Sequence, residues 1–155
     1  LVKCVKKIKD KGYDNFNIWI LGDGEQREAL EKYIKDYELE KYITLLGFKS
    51  NPYPYIAASD AFICSSRSEG FSTVATEALI LGKPIFTVDC AGMKELFGSY
   101  DCGRIVENDE ESLCELLQCI VSKKYTISDF ESAVSLRRKD FTLEKRLNEM
   151  QYLFN

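Results

Sequence analysis

The residues best suited to chemistry fall in one stretch, Ser65-Ser66-Arg67-Ser68-Glu69-Gly70-Phe71-Ser72-Thr73-Val74-Ala75-Thr76-Glu77-Ala78-Leu79. Glu77 is the only charge between Thr73 and Leu81, in a segment that otherwise reads as a buried helix. A carboxylate in such surroundings is costly unless it is paired or aimed into a polar cleft. A capping box or a favourable dipole contact would be a purely structural use for it. Neither Ser72 nor Thr73 has an acid three residues later, however, and Glu77 lies past the first turn of a helix capped by Ser72. Glu69 alone would be an ordinary solvated loop residue. Its neighbour Gly70 permits close backbone approach to a ligand, and the amides of Phe71, Ser72, Thr73 and Val74 would head a helix, where unpaired N–H groups attract anions. One short segment thus offers two carboxylates and a cradle for an anion.

A second candidate is Gly22-Asp23-Gly24, between an apolar run and a helical one. It fails the dinucleotide fingerprint because Arg27 stands where the third glycine belongs. A tight strand-to-helix turn explains the pair of glycines as well as ligand contact does.

Composition narrows the chemistry further. The chain has 155 residues and no histidine, which excludes Ser-His-Asp and Cys-His catalysis and any imidazole-ligated zinc within it. A net charge of −4 supplies no basic field for nucleic acid. No apolar run approaches the length of a membrane span, so a soluble, cytoplasmic domain is expected. The six cysteines, Cys4, Cys64, Cys90, Cys102, Cys114 and Cys119, form no Cys-x-x-Cys pair and sit in apolar stretches. Reduced thiols are the expectation.

The elements that must position these groups alternate between short apolar runs and longer helical patterns, the signature of an α/β fold with a parallel sheet. Strands are expected at Asn17–Leu21, Tyr42–Leu46, Ala61–Ser65, Ile85–Val88 and Arg104–Val106. Helical spacing marks Leu1–Lys11, Glu25–Tyr37, Pro52–Ser59, Thr73–Leu81 and Glu110–Ser122, followed by two polar helices near Ser128–Lys139 and Leu143–Phe154. Gly82-Lys83-Pro84 ends the buried helix, since glycine takes the left-handed cap and proline cannot extend the turn. The Glu69–Glu77 loop then follows a buried strand, at the carboxyl end where open α/β sheets bind ligands. One domain is expected over residues 1–155, an α/β core to 122 and C-terminal helices beyond.

The seven residues between Glu69 and Glu77, within EGFSTVATEALILGKP, resemble the E-x7-E signature of glycosyltransferase family 4. ILGDG at Ile20–Gly24, ITLLGF at Ile43–Phe48, YIAASDAFICSS at Tyr55–Ser66 and AGMKEL at Ala91–Leu96 agree in order, so the resemblance runs from about Leu1 to Leu117. It implies the C-terminal, donor-binding half of a GT-B fold, a Rossmann-like parallel sheet flanked by helices. It also implies a retaining transfer from a nucleoside-diphosphate sugar, most often a UDP-sugar, with no metal cofactor. By this resemblance Glu77 accepts from the ribose hydroxyls, Glu69 faces the donor sugar as the catalytic carboxylate, and amides from Gly70 through Val74 hold the sugar and diphosphate. Phe48 and Lys49 lie beside the nucleobase, and Gly22 to Gly24 border the diphosphate. The acceptor, a saccharide or lipid-linked glycan in surface polysaccharide synthesis, belongs to an N-terminal domain outside these residues, as does any membrane contact.

The chain departs from the family pattern at its start. The first strand of this half, and the Arg and Lys after it that clamp the diphosphate, would precede the helix at Leu1–Lys11. In the strand order 3-2-1-4-5-6 that strand is central. Five strands are therefore expected, with the sheet closing imperfectly or receiving a strand from elsewhere, and no turnover by the chain alone. Three other readings stay open. A 2-epimerase of the same fold would lean on histidines that are absent, and a non-catalytic binding module would not require Glu69, Gly70 and Glu77. A nicotinamide-binding domain would need the missing third glycine.

Overall fold

The computed structural model describes residues 1–66 and 72–142. Glu69, Gly70 and Phe71, and the helix expected at Leu143–Phe154, lie outside the described residues. Contacts divide the chain into two compact units, one of Leu1–Pro52 with Asp109–Tyr125, the other of Tyr53–Asn108 with the residues from Thr126.

The first unit contains α1 (Val2–Asp10), β1 (Ile18–Leu21), α2 (Arg27–Asp36), β2 (Ile43–Gly47) and α6 (Glu110–Val121). In α1 the residues Cys4, Val5 and Ile8 recur at helical spacing and are all buried. Val5 joins Ile34 of α2 and Leu39, Tyr42 and Ile43 around β2 in one apolar cluster. Helix α6 begins at Asp109, whose Oδ1 accepts from the Ser112 N–H at 2.8 Å, and it buries Leu113, Cys114, Leu116 and Leu117. Strands β1 and β2 run parallel, with Ile18 opposite Ile43 and Trp19 opposite Thr44.

Helices α1 and α6 pack together, and there the expectation of reduced thiols fails: Cys4 and Cys114 are disulfide-bonded, with Cα atoms 4.8 Å apart. Each cysteine occupies the buried face of its own helix, so packing the helices brings the sulfurs together. Their separation of 110 residues leaves no local spacing signal. Cys64, Cys90, Cys102 and Cys119 are outside any disulfide.

The second unit contains α3 (Tyr53–Ala58), β3 (Phe62–Cys64), α4 (Thr73–Ile80), β4 (Ile85–Val88), α5 (Met93–Phe97), β5 (Gly103–Val106), α7 (Ser128–Arg137) and a 3-10 turn at Arg138–Phe141. All four residues of β4 are buried, as befits a parallel strand with a neighbour on each edge. Its partners are β3 and β5, both parallel, with Phe86 opposite Ile63 and Arg104. Phe130 of α7 meets Phe86 edge-to-face at 5.5 Å between centroids. The 3-10 turn ends α7 two residues short of the expected Lys139. There the Arg137 guanidinium donates to Asp140 at 2.7 Å, to the Leu96 carbonyl at 2.8 Å and to the Glu95 carbonyl at 2.8 Å. Helix α5 went unpredicted. It is only five residues long and opens on Gly92 in the left-handed region, φ +82°, so it carries too little periodicity to register.

All five expected strands form, each within a residue or so of its expected bounds. They make two parallel sheets, β1-β2 and β3-β4-β5. Those pairings are the ones the doubly wound order assigns.

Candidate functional site

Serine and the apolar run after it build the helix that carries Glu77. Ser72 is extended, and its Oγ accepts from the Ala75 N–H at 3.4 Å, capping α4 as expected. The Thr76 hydroxyl folds back to the Ser72 carbonyl at 3.0 Å. Ala75, Thr76, Ala78 and Leu79 are buried, so the opposite stripe of α4 is Thr73, Val74, Glu77 and Ile80, at helical spacing. Val74 and Ile80 on that stripe are 45% and 42% exposed, and Glu77 between them is half-buried. The N–H groups of Thr73 and Val74 head the helix, where no carbonyl inside α4 can receive them.

Glu77 is held from a second element. Tyr53 opens α3 directly after Pro52, and its phenol donates to Glu77 Oε1 at 3.2 Å. The hydrogen bond to Glu77, and then the carboxylate's charge, raise the Tyr53 pKa above the ordinary tyrosine value. The partner described for Glu77 is therefore a neutral hydroxyl, which orients the carboxylate and leaves its negative charge intact. Nothing in the spacing of the sequence singled out Tyr53, because a contact between residues 24 apart on different helices has no local signature.

In the first unit the other expected residues gather at the carboxyl ends of β1 and β2. The Gly22 N–H donates to the Gly47 carbonyl at 2.9 Å, so the turn at Gly22-Asp23-Gly24 lies beside the turn that begins Phe48-Lys49. Gly22 has φ +117°, a conformation that favours glycine over any other residue. A Cβ at Gly22 or Gly24 would meet nothing within 4 Å, so space is open over both. Arg27 turns back over this corner, 3.6 Å from Asp23 and 2.8 Å from Glu31. Phe48 is 75% exposed and Lys49 half-buried.

Residues 1–136 match the family model described as glycosyl transferases group 1. The chain belongs to that family. The resemblance to glycosyltransferase family 4 agrees with it. This glycosyl transferases group 1 chain is 35% identical over 143 residues to the N-acetylgalactosamine-N,N'-diacetylbacillosaminyl-diphospho-undecaprenol 4-alpha-N-acetylgalactosaminyltransferase of Campylobacter jejuni, an alignment covering 91% of the chain and 38% of that protein. It is 35% identical over 97 residues to an uncharacterized glycosyltransferase of Methanocaldococcus jannaschii, covering 62% of the chain and 24% of the relative. The chain thus spans well under half the length of these relatives. Among solved structures it is similar to S. aureus TarM, as a mutant in complex with fondaparinux, alpha-GlcNAc-glycerol and UDP, with a TM-score of 0.82 at 20% identity over 99% of the chain and 32% of TarM. It is also similar to Anabaena HepE in complex with UDP, with a TM-score of 0.78 at 21% identity over 98% of the chain and 44% of HepE. At these identities the likeness speaks for the fold, the α/β architecture of GT-B glycosyltransferases. No helix among the described residues is long and apolar enough to cross a membrane.

Proposed function

We propose that this chain is the donor-binding half of a retaining glycosyltransferase and takes a nucleoside-diphosphate sugar, a UDP-sugar before others. The observation that carries the reading is Glu77: a half-buried carboxylate on the outward stripe of a capped, otherwise buried helix, oriented by a neutral phenol. Such a group accepts hydrogen bonds from a pair of vicinal hydroxyls, and a ribose supplies that pair. UDP in the TarM and HepE complexes supports the choice of nucleotide.

In this reading Glu69 faces the donor sugar, and amides from Gly70 through Val74 hold its hydroxyls and the diphosphate. Gly22 to Gly24 border the diphosphate, while Phe48 and Lys49 flank the base. The bond from the anomeric carbon to the diphosphate oxygen breaks as an acceptor hydroxyl attacks from the same face, its proton passing to the departing diphosphate oxygen. Helix-head N–H groups meet the charge that develops on the departing diphosphate, so no metal is required. Residues outside this chain hold the acceptor, a saccharide or lipid-linked glycan.

Calorimetric titration of the full-length protein with UDP tests the donor site. Glu77→Ala is expected to weaken binding about tenfold or more, the loss of charge-assisted hydrogen bonds, with the melting temperature of the free protein little changed. Unchanged affinity removes the reading. Transfer from a UDP-sugar should also persist in excess chelator; its abolition would put a metal in the mechanism.

A further inference from the structure

We propose that Tyr53 is a positioning residue for Glu77, fixing one carboxylate oxygen so that the other is presented to the ribose diol; the inference rests on the donor-site reading above. Glu77 stands on the outward stripe of α4, where a glutamate has three side-chain torsions to sample and little packing to choose among them. The Tyr53 phenol reaches Oε1 at 3.2 Å from the first turn of a different helix. A tyrosine is well suited to the task. It has two torsions and a rigid ring, and the residue is 48% exposed, so the ligand side stays open.

The chemistry of the partner matters as much as its reach. An arginine or lysine at this position would hold the carboxylate equally well but would also neutralise it and compete with ligand hydroxyls for its lone pairs. A phenol occupies one lone pair of Oε1 and leaves Oε2 a charged acceptor. The same contact also ties α3 to α4, and that structural role alone would make no distinction between ligands that carry the diol and ligands that lack it. Positioning makes that distinction.

The test is therefore a comparison of two probes, UDP and 2′,3′-dideoxy-UDP, titrated calorimetrically into the full-length protein and its Tyr53→Phe, Glu77→Ala and doubly substituted variants. GDP and ADP with their dideoxy forms replace them if either binds more tightly than UDP. Tyr53→Phe is expected to weaken UDP binding about 3- to 10-fold, the range of one hydrogen bond, and to leave the dideoxy probe unaffected. In the Glu77→Ala background the same substitution should cost nothing further. The readout is a ratio of affinities, so a general loss of stability cancels from it. Equal losses for both probes, no loss for UDP, or an additive loss in the double variant would overturn the role of Tyr53. If Glu77→Ala itself leaves UDP binding unchanged, the donor-site reading fails as well; if Glu77→Ala weakens it and Tyr53→Phe does not, only the present inference falls.

Discussion

Breaking the Cys4–Cys114 disulfide is expected to destabilise the protein by an amount that follows from chain length. The bond joins α1 to α6 across 110 residues. Closing a loop of that size in the unfolded chain removes about 16 cal/mol/K of entropy, or about 4.8 kcal/mol at 25 °C. Little else covalent or ionic would replace it. The nearby Lys7–Glu110 pair at 2.8 Å has both side chains about half exposed, and pairs of that kind add at most about 1 kcal/mol. For a chain of this size the loss corresponds to a fall in melting temperature of about 10 to 20 °C if unfolding is two-state. The assay has two arms on protein purified in air. Alkylation after denaturation should leave Cys4 and Cys114 unmodified without reductant and modify all six cysteines of these residues with it, and a thermal scan should shift down on reduction. Cys114→Ser should reproduce the reduced scan and be insensitive to reductant. Modification of Cys4 and Cys114 in the unreduced protein, or a melting temperature indifferent to reductant, would refute the argument.

Three further outcomes are expected. At Gly103, φ +152°, an added Cβ would lie 1.8 Å from the Ile85 carbonyl oxygen of the adjoining strand. Gly103→Ala should therefore cost about 3 kcal/mol or more, seen as a lower denaturant midpoint. Arg137→Ala removes three hydrogen-bond donors at a site where Arg137 and Asp140 are 18% and 15% exposed. It should cost about 2 to 4 kcal/mol, seen as a lower denaturant midpoint. Asp109 and Asp129 are held below the usual carboxylate range by hydrogen bonds from Ser112 and Thr126, and Glu110 by the Lys7 ammonium. Groups with depressed folded values stabilise above the ordinary carboxylate pKa and lose that contribution as pH falls through the folded value. Thermal stability should be level from neutrality to about pH 5, drop below about pH 4, and drop less in Asp109→Asn, which still caps α6.

Much of this architecture was legible because the deciding information is local. Ile85–Val88 could be read to the residue, bracketed by Gly82-Lys83-Pro84 and apolar at every position. Helix α6 was legible from the helical spacing of Leu113, Leu116, Leu117 and Ile120. The place of Glu77 on a largely buried helix could be read from its apolar neighbours, and α4 carries it half-buried on the outward stripe. What could not be read depends on pairs of distant elements. Cys4 and Cys114 each look like an ordinary buried cysteine until α1 and α6 are packed together. Tyr53 gains meaning only when α3 is placed against α4, and the five residues of α5 are too few to show a period. Glu69, Gly70 and Phe71, which complete the signature, lie outside the described residues.

The pairing of α1 with α6 also bears on how the polypeptide is made. A ribosome delivers residues in order, at about 5 to 20 per second, so the surface of α1 around Cys4 waits roughly 5 to 20 seconds for the helix that will cover it. Val5 can find Ile34, Leu39 and Ile43 sooner, which gives the nascent helix a first anchorage. Until α6 emerges, the face of α1 around Cys4 lacks the helix it packs against in the finished fold, and apolar surface left waiting in a nascent chain is what chaperones cover.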